Sequence, residues 1–240
     1  MSLIEFQHVD FAYGDTLVIQ DFSLTVEQGE CLAIIGSSGC GKTTILRMVN
    51  GLLLPTGGAV LVQGQNTKES NLTQLRRRIG YSIQGSVLFP HMTVEKNIAY
   101  VPTLSSRPNK KLIRKDVSKW LKIVGLDESF RRRYPSELSG GQQQRVGLAR
   151  ALASNPEILL MDESFSAVDE ITRRQLQQEF IRIRQQTGIT VMLVTHDINE
   201  ALLLGTRVLV MDGGKIHQLA TPEEVKNHPA TDFVRRLVEG

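Results

Sequence analysis

Residues 31–52 read CLAIIGSSGCGKTTILRMVNGL, and the fold turns on this stretch. Cys31–Ile35 is an unbroken apolar run of strand length, the pattern of a strand buried on both faces. Gly36–Thr43, GSSGCGKT, satisfies the phosphate-loop pattern. Its glycines let successive N–H groups and a helix N-terminus face an anion. Ile45, Leu46, Met48, Val49 and Leu52 then recur at helical spacing, with Gly51 closing the stripe. Strand, glycine turn and helix in that order are the context the motif requires. The reading predicts that Gly36, Ser37, Ser38, Gly39, Cys40, Gly41, Lys42, Thr43 and Thr44 cradle a nucleotide. Lys42 would reach the terminal phosphates and the Thr43 hydroxyl would ligate Mg²⁺.

Outward from this stretch, period-2 patterning covers Leu3–Phe11 and Phe22–Val26, which predicts an N-terminal β region. Further strands are predicted at Ala59–Val62, Ile79–Ile83, Ile158–Met161, Thr190–Val194 and Arg207–Met211. Between Gly85 and Ala153 only helical patterns occur, around Val94–Ala99, Arg114–Val124 and Gly140–Ala153. Thr221, Pro222 and Glu224 fit a capping box that opens a short terminal helix. The expected class is α/β: a phosphate-loop NTPase core with a mixed sheet, an N-terminal antiparallel β region and an inserted helical subdomain. A single domain spans 1–240 on this reading, with 1–84 and 154–240 as core and 85–153 as the helical insertion.

Composition narrows the function classes. The chain has 240 residues, 41% hydrophobic and 22% charged, close to the globular average, which disfavours disorder and coiled coil. Its apolar runs fall far short of the ~18 residues a spanning helix needs. The start, with Glu5 and Asp10, lacks the charge order of a secretory signal. Two cysteines, Cys31 and Cys40, suggest neither a disulfide framework nor a paired metal motif, and a reducing cytoplasm is expected. The net charge of +3 is too small to argue nucleic-acid binding. Basic residues do concentrate between Arg107 and Arg133, ten against Asp116, Asp127 and Glu128. That stretch reads as a solvated helical face, with a contact to anionic lipid or an acidic partner as the alternative.

Leu160, Met161, Asp162 and Glu163 end a buried strand with two carboxylates, a Walker B pattern. Asp162 would hold Mg²⁺ through water, and Glu163 would accept a proton from the attacking water. At Leu138–Arg145 the chain reads LSGGQQQR, and here it resembles the ATP-binding cassette (ABC) ATPases over nearly its whole length. The remaining family motifs follow in order. Tyr13 matches the aromatic that stacks on adenine and Gln84 the Q-loop glutamine beside the Mg²⁺ site. Ser166–Asp169 matches the D-loop, and His196 in VTHD the switch histidine.

The resemblance implies a head-to-tail homodimer or pseudo-dimer with two ATP molecules sandwiched between subunits. Tyr13, the phosphate loop, Gln84, Asp162, Glu163 and His196 would come from one subunit, and Asp169 of the D-loop joins Glu163, His196, Gln84 and Lys42 as an implied catalytic residue. Ser139, Gly140, Gly141 and Gln142 would come from the other. Cofactors would be ATP and Mg²⁺. Ser164, Val168, Glu170 and Gly85 depart from the commonest family pattern, which touches the rate of hydrolysis and not its chemistry.

Val87–Ile98, Arg133–Arg150, and Phe165 with Ile171, Thr172 and Arg173 look most like the ATPases of osmoprotectant importers for glycine betaine, carnitine or choline. Importers of amino acids, nitrate, sulfonate or molybdate share much of this, and a soluble ABC ATPase acting on nucleic acid or ribosomes is the alternative from another class. Implied partners are integral membrane permease subunits, docked around Gly85–Tyr100, and indirectly a substrate-binding protein, with no nucleic acid. The implied place is peripheral, on the cytoplasmic face of the inner or plasma membrane. A paired regulatory module, and ionic-strength sensing through it, is not expected, since the chain stops about where the ATPase core ends. Cys40, near a helix N-terminus and Lys42, is expected either to react ahead of Cys31 or to be a small residue with its sulfur turned away.

Overall fold

The computed structural model describes residues 2–85, 87–104 and 108–239. The chain forms two compact units, Met1–Arg76 with Gly188–Gly240, and Arg77–Thr187. Arg107, counted above in the basic stretch, and Ser86, within the expected docking stretch, lie outside the described residues.

In the first unit, β1 (Ser2–Tyr13) and β2 (Thr16–Glu27) pair antiparallel. β4 (Gly57–Val62) and the short β5 (Gln65–Asn66) complete a sheet of order β2-β1-β4-β5. Burial along β1 falls on Ile4 and Phe6 and then on Val9 and Phe11, so the alternation slips by one residue at His8. On β2 it slips between Ile19 and Phe22. Each slip holds a residue in the left-handed region, His8 and Asp21, both at φ 47°. The ladder shifts register there, and the two side chains meet at 2.7 Å. Paired bulges thus return both strands to the core phase after an extra residue.

β3 (Cys31–Gly36) lies between β8 (Thr190–Val194) and β9 (Arg207–Asp212), parallel to both. Every residue of β8 and the first five of β3 are buried, as continuous apolar runs require. β10 (Lys215–Ala220) returns antiparallel along β9. The sequence reading has no strand there, because Lys215, Ile216, His217 and Gln218 show no apolar alternation. α1 (Lys42–Val49) follows the phosphate loop. It stops earlier than the predicted stripe. Asn50 caps it, Leu52 N–H turns back to the Arg47 carbonyl at 2.9 Å, and Leu52 itself is exposed. α7 (Ile198–Leu204), α8 (Pro222–Asn227) and α9 (Asp232–Glu239) cover the sheet. They place Ala201, Val225 and Val234 against Ala33, Ile35, Val208 and Val210. The capping box predicted at Thr221 and Glu224 opens α8.

In the second unit, β6 (Ile79–Ser82) and β7 (Ile158–Asp162) run parallel. α2 (Leu72–Arg78) leads in, and α6 (Glu170–Thr187) leads out. From residue 87 to 153 the described residues form α3 (Val94–Thr103), α4 (Lys110–Ile123), 3-10 turns at Glu128–Arg132 and Pro135–Glu137, and α5 (Gly140–Leu152). The basic stretch is partly structural. Arg131 pairs with Glu95 at 3.2 Å and Glu128 at 2.9 Å, Arg133 lies over the Phe130 ring, and Lys119 over Trp120.

Asn97, fully buried in α3, fixes the turn before its own helix. It accepts from Phe89 N–H at 2.9 Å and donates to the carbonyls of Phe89, Met92 and Thr93 at 3.1–3.2 Å. Asn97→Ala should lower unfolding stability by roughly 1–3 kcal/mol, the cost of stranding buried polar groups. Denaturant titration reads this directly, and a change below about 0.5 kcal/mol, the scale of a surface substitution, would show that the turn is held by other contacts.

Candidate functional site

The phosphate loop starts where β3 ends. Lys42, 9% exposed, donates from Nζ to the carbonyls of Gly36 at 2.9 Å and Ser37 at 2.7 Å and lies 3.9 Å from Cys40 Sγ. None of these neighbours carries a compensating negative charge, and a buried ammonium is costly without one. Ser37 Oγ bonds the carboxylate of Asp212, which ties the loop to the end of β9.

α1 begins at Gly41, at φ 103°, with no side-chain cap and no acid in its first turn. A side chain here is disfavoured twice, by that φ and because a Cβ would lie 2.3 Å from Ile19 Cδ1, which would have to move. By contrast α3, α4, α5, α7 and α8 each carry a side-chain cap, from Thr93, Asn109, Ser139, Asp197 and Thr221. The unit therefore presents an uncapped helix N-terminus beside a buried, uncompensated cation. The physical demand of that arrangement is a polyanion.

Tyr13, half exposed at the end of β1, meets Phe11 edge-on and places its hydroxyl 3.5 Å from Thr44 Oγ1. His196 lies two residues beyond the end of β8, after the buried Thr195, and is exposed. Its neighbour Asp197 caps α7, accepting from Asn199 N–H at 2.9 Å and Glu200 N–H at 3.4 Å. That cap fixes the chain direction at the histidine.

The second unit gathers Gln84, Asp162, Glu163, Asp169 and the LSGGQ segment. Asp162, 1% exposed, is the last residue of β7. Glu163 then turns at φ 48°, a left-handed conformation that costs a residue with a Cβ about 1–2 kcal/mol. Its carboxylate accepts from Gln84 Nε2 at 2.8 Å. Ser164 Oγ is buried and has no hydrogen-bond partner among the described residues. Asp169 accepts from Thr172 N–H at 3.0 Å. Bonds from Thr172 hold its carboxyl below the usual carboxylate range, with a smaller pull from Arg145.

Ser139 and Gln142 form a capping box at the start of α5: Gln142 N–H donates to Ser139 Oγ at 3.3 Å, and Ser139 N–H to Gln142 Oε1 at 2.9 Å. Gly141 packs so closely on the chain after Glu163 that a Cβ would lie 2.9 Å from the Ala167 carbonyl. Sequence reading passed over Gln144, two residues beyond this box, whose amide bonds Glu163 O at 2.8 Å and Ala167 N–H at 3.0 Å. A glutamine on a helix carries no signal of its own; only its place on the same face as Gly141, three residues earlier, could have pointed inward.

Comparison with known proteins gives a concordant picture. The family described as ABC transporter matches residues 19–166. The chain is 42% identical over 238 residues to the glycine betaine/carnitine/choline transport ATP-binding protein OpuCA of Bacillus subtilis, covering 98% of this chain and 62% of that protein. It is 44% identical over 235 residues to the glycine betaine uptake system ATP-binding protein YehX of Escherichia coli, covering 98% and 76%. To the osmoprotectant import ATP-binding protein OsmV of Salmonella typhimurium it is 46% identical over 221 residues, covering 92% and 58%. The chain thus spans about three-fifths of the length of OpuCA and OsmV. Among solved structures it is similar to a dimeric ATP-binding cassette in a post-hydrolysis state bound to ADP and Pi, with a TM-score of 0.85, 32% identity and coverage of 91% of this chain and 98% of that one.

Both cysteines are buried, Cys31 at 0% and Cys40 at 3% exposure. Exposure therefore gives Cys40 no advantage over Cys31, although its buried sulfur lies 3.9 Å from Lys42 Nζ. A maleimide should label both thiols at least about tenfold more slowly in the native protein than in urea, since reaction needs local opening. Mass spectrometry over time reads the rates, and native labelling of Cys40 at its denatured rate would show that the loop leaves this conformation readily.

Proposed function

This chain belongs to the ABC transporter family, and from that premise we propose that it is the ATP-binding and ATP-hydrolysing subunit of an importer for an osmoprotectant such as glycine betaine, carnitine or choline. The observation that carries ATP binding is the buried Lys42 ammonium, without a carboxylate partner among the described residues, beside the start of α1, which has no side-chain cap. Triphosphate oxygens supply the charge and the acceptors that this arrangement lacks. The names of the relatives, glycine betaine, carnitine, choline and osmoprotectant transport proteins, support the solute class.

On this reading Tyr13 stacks on adenine and Gly36–Thr44 wraps the phosphates. Thr43, Gln84 and Asp162 offer hydroxyl, amide and carboxylate oxygens, a hard donor set suited to Mg²⁺, which would neutralise phosphate charge when bound. Glu163 accepts the proton of the attacking water, and His196 contacts the γ-phosphate side. The Glu163 carboxylate accepts from Gln84 Nε2 through Oε2, which leaves its other oxygen to take the proton. Ser139, Gly140, Gly141 and Gln142 act on the ATP of the partner subunit, and Asp169 stands at the join between subunits.

The chain works as a homodimer against two permease subunits, with a substrate-binding protein on the far side, at the cytoplasmic face of the membrane. Residues 85–153 form the helical subdomain that meets the permease. Among the described residues no helix is long and apolar enough to cross a membrane.

Glu163→Gln should keep ATP affinity and lower kcat by at least about 100-fold, the scale of losing a general base. Lys42→Ala should instead weaken ATP binding, because it deletes charge-assisted contacts. Equilibrium nucleotide binding and phosphate release measure the two separately. Near-normal turnover of Glu163→Gln would remove it from the base role, and unchanged affinity of Lys42→Ala would remove the lysine from the phosphate site. For the solute, copurification of this chain with its membrane partner and uptake of labelled glycine betaine, carnitine and choline decide; recovery with ribosomes or DNA and no permease would reject transport.

A further inference from the structure

Gln144 is 4% exposed in the first half of α5, and the chemistry proposed above does not use it. Its amide nonetheless meets one turn of chain with both ends. Nε2 donates to the Glu163 carbonyl at 2.8 Å and lies 3.4 Å from Ser166 Oγ, while Oε1 accepts from Ala167 N–H at 3.0 Å. The turn so gripped begins with Glu163 in its left-handed conformation.

The Glu163 carbonyl also accepts from Ser166 Oγ at 2.9 Å and Ser166 N–H at 3.3 Å. Those two bonds are internal to the turn and rotate with it. The bond from Gln144 comes from another element, so it fixes where the turn points. Since the backbone angles of Glu163 set the direction of its Cβ, they also set the direction of its carboxylate. A side-chain amide suits this task because it offers a donor and an acceptor at fixed spacing; a carboxylate loses the donor, and an alkyl chain loses both. Close packing of Gly141 on the Ala167 carbonyl leaves the helix little room to slide along the turn.

We infer that Gln144 is a positioning residue for the Glu163 carboxylate, an inference that rests on reading the chain as a sandwich-forming ATPase. Through it, α5 does two things at once. Its first turn, Ser139–Gln142, serves the ATP of the partner subunit, and Gln144 on the same helix sets the attack geometry at the chain's own ATP. Movement of α5 at one site is thereby felt at the other.

Two mixed dimers separate these roles. In the first, a Gln144→Ala chain is paired with a Lys42→Ala chain, so the competent phosphate loop and its Glu163 belong to the chain lacking Gln144. In the second, a Gln144→Ala/Lys42→Ala chain is paired with an unmodified chain, so only the helix facing the competent site lacks Gln144. The reference is Lys42→Ala paired with an unmodified chain. Against it, kcat of the first dimer should fall by about tenfold or more with KM for ATP within about threefold, and the second should stay within about threefold. Equal losses in both dimers, or a loss in the second alone, would overturn the inference.

If the reference dimer is silent because both sites must fire together, homodimers decide. Gln144→Ala should lower kcat with KM little changed, and a rise in KM of the same size overturns the inference. Gln144→Glu adds a readout that lost stability does not mimic. Its kcat relative to the unmodified chain should rise as pH falls, because the protonated carboxyl again donates to Glu163 O and accepts from Ala167 N–H. A pH profile parallel to that of Gln144→Ala overturns the inference. An unmodified chain without hydrolysis, or a fully active Lys42→Ala homodimer, would be a different failure, that of the functional reading and this inference together.

Discussion

β3 is held on both edges by parallel partners, and the geometry of the phosphate loop depends on that constraint. Leu32–Ile35 are buried and offer no polar side chain, so their backbone groups are satisfied by the ladders to β8 and β9, while Cys31 before them donates its N–H to Thr206 Oγ1 at 2.9 Å and accepts from Thr206 N–H at 2.7 Å. Parallel pairing brings the carboxyl ends of the three strands to one edge. Gly36, Thr195 and Asp212 stand there together, and Asp212 holds Ser37 of the loop. A loop that must hold a buried ammonium against bare carbonyls needs such a base, because its own bonds are too few to define it.

The second unit solves a related problem differently. β7 delivers Asp162 buried and Glu163 bent into a disfavoured conformation within one residue. Strain of this kind persists only where surrounding contacts over-determine it. Here they come from Ser166 within the turn and from Gln144 and Gly141 on α5. The segment that carries the family signature is therefore also the support of the acidic turn, and neither can be altered without the other.

Much of this was legible in residue order. Continuous apolar runs gave β3, β7 and β8, the glycine pattern gave the loop, and the Thr221 box gave α8. What was not legible depends on contacts distant in sequence. β10 lacks apolar alternation and exists because β9 offers it an edge. Leu52 continues a helical stripe on paper, yet the turn at Asn50 leaves it exposed. The charge of the Arg107–Arg133 stretch reads as one surface, but Arg131 is drawn inward by Glu95, which precedes it by 36 positions and cannot be paired with it by periodicity. Asn97 and Gln144 are amides on helices, and such residues declare their partners only once the helices are packed.

The capping box at Ser139 has a consequence for the kind of group that α5 presents outward. Within the box both side chains act as acceptors, the Ser139 hydroxyl oxygen for one backbone N–H and the Gln142 carbonyl oxygen for another. Neither the hydroxyl hydrogen nor the amide hydrogens are engaged there. Acceptor capacity is turned inward and donor capacity is left outward, on side chains whose rotamers the box has already fixed. The tip of the helix thus keeps one hydroxyl and two amide hydrogens unused by the box, donors suited to an oxyanion.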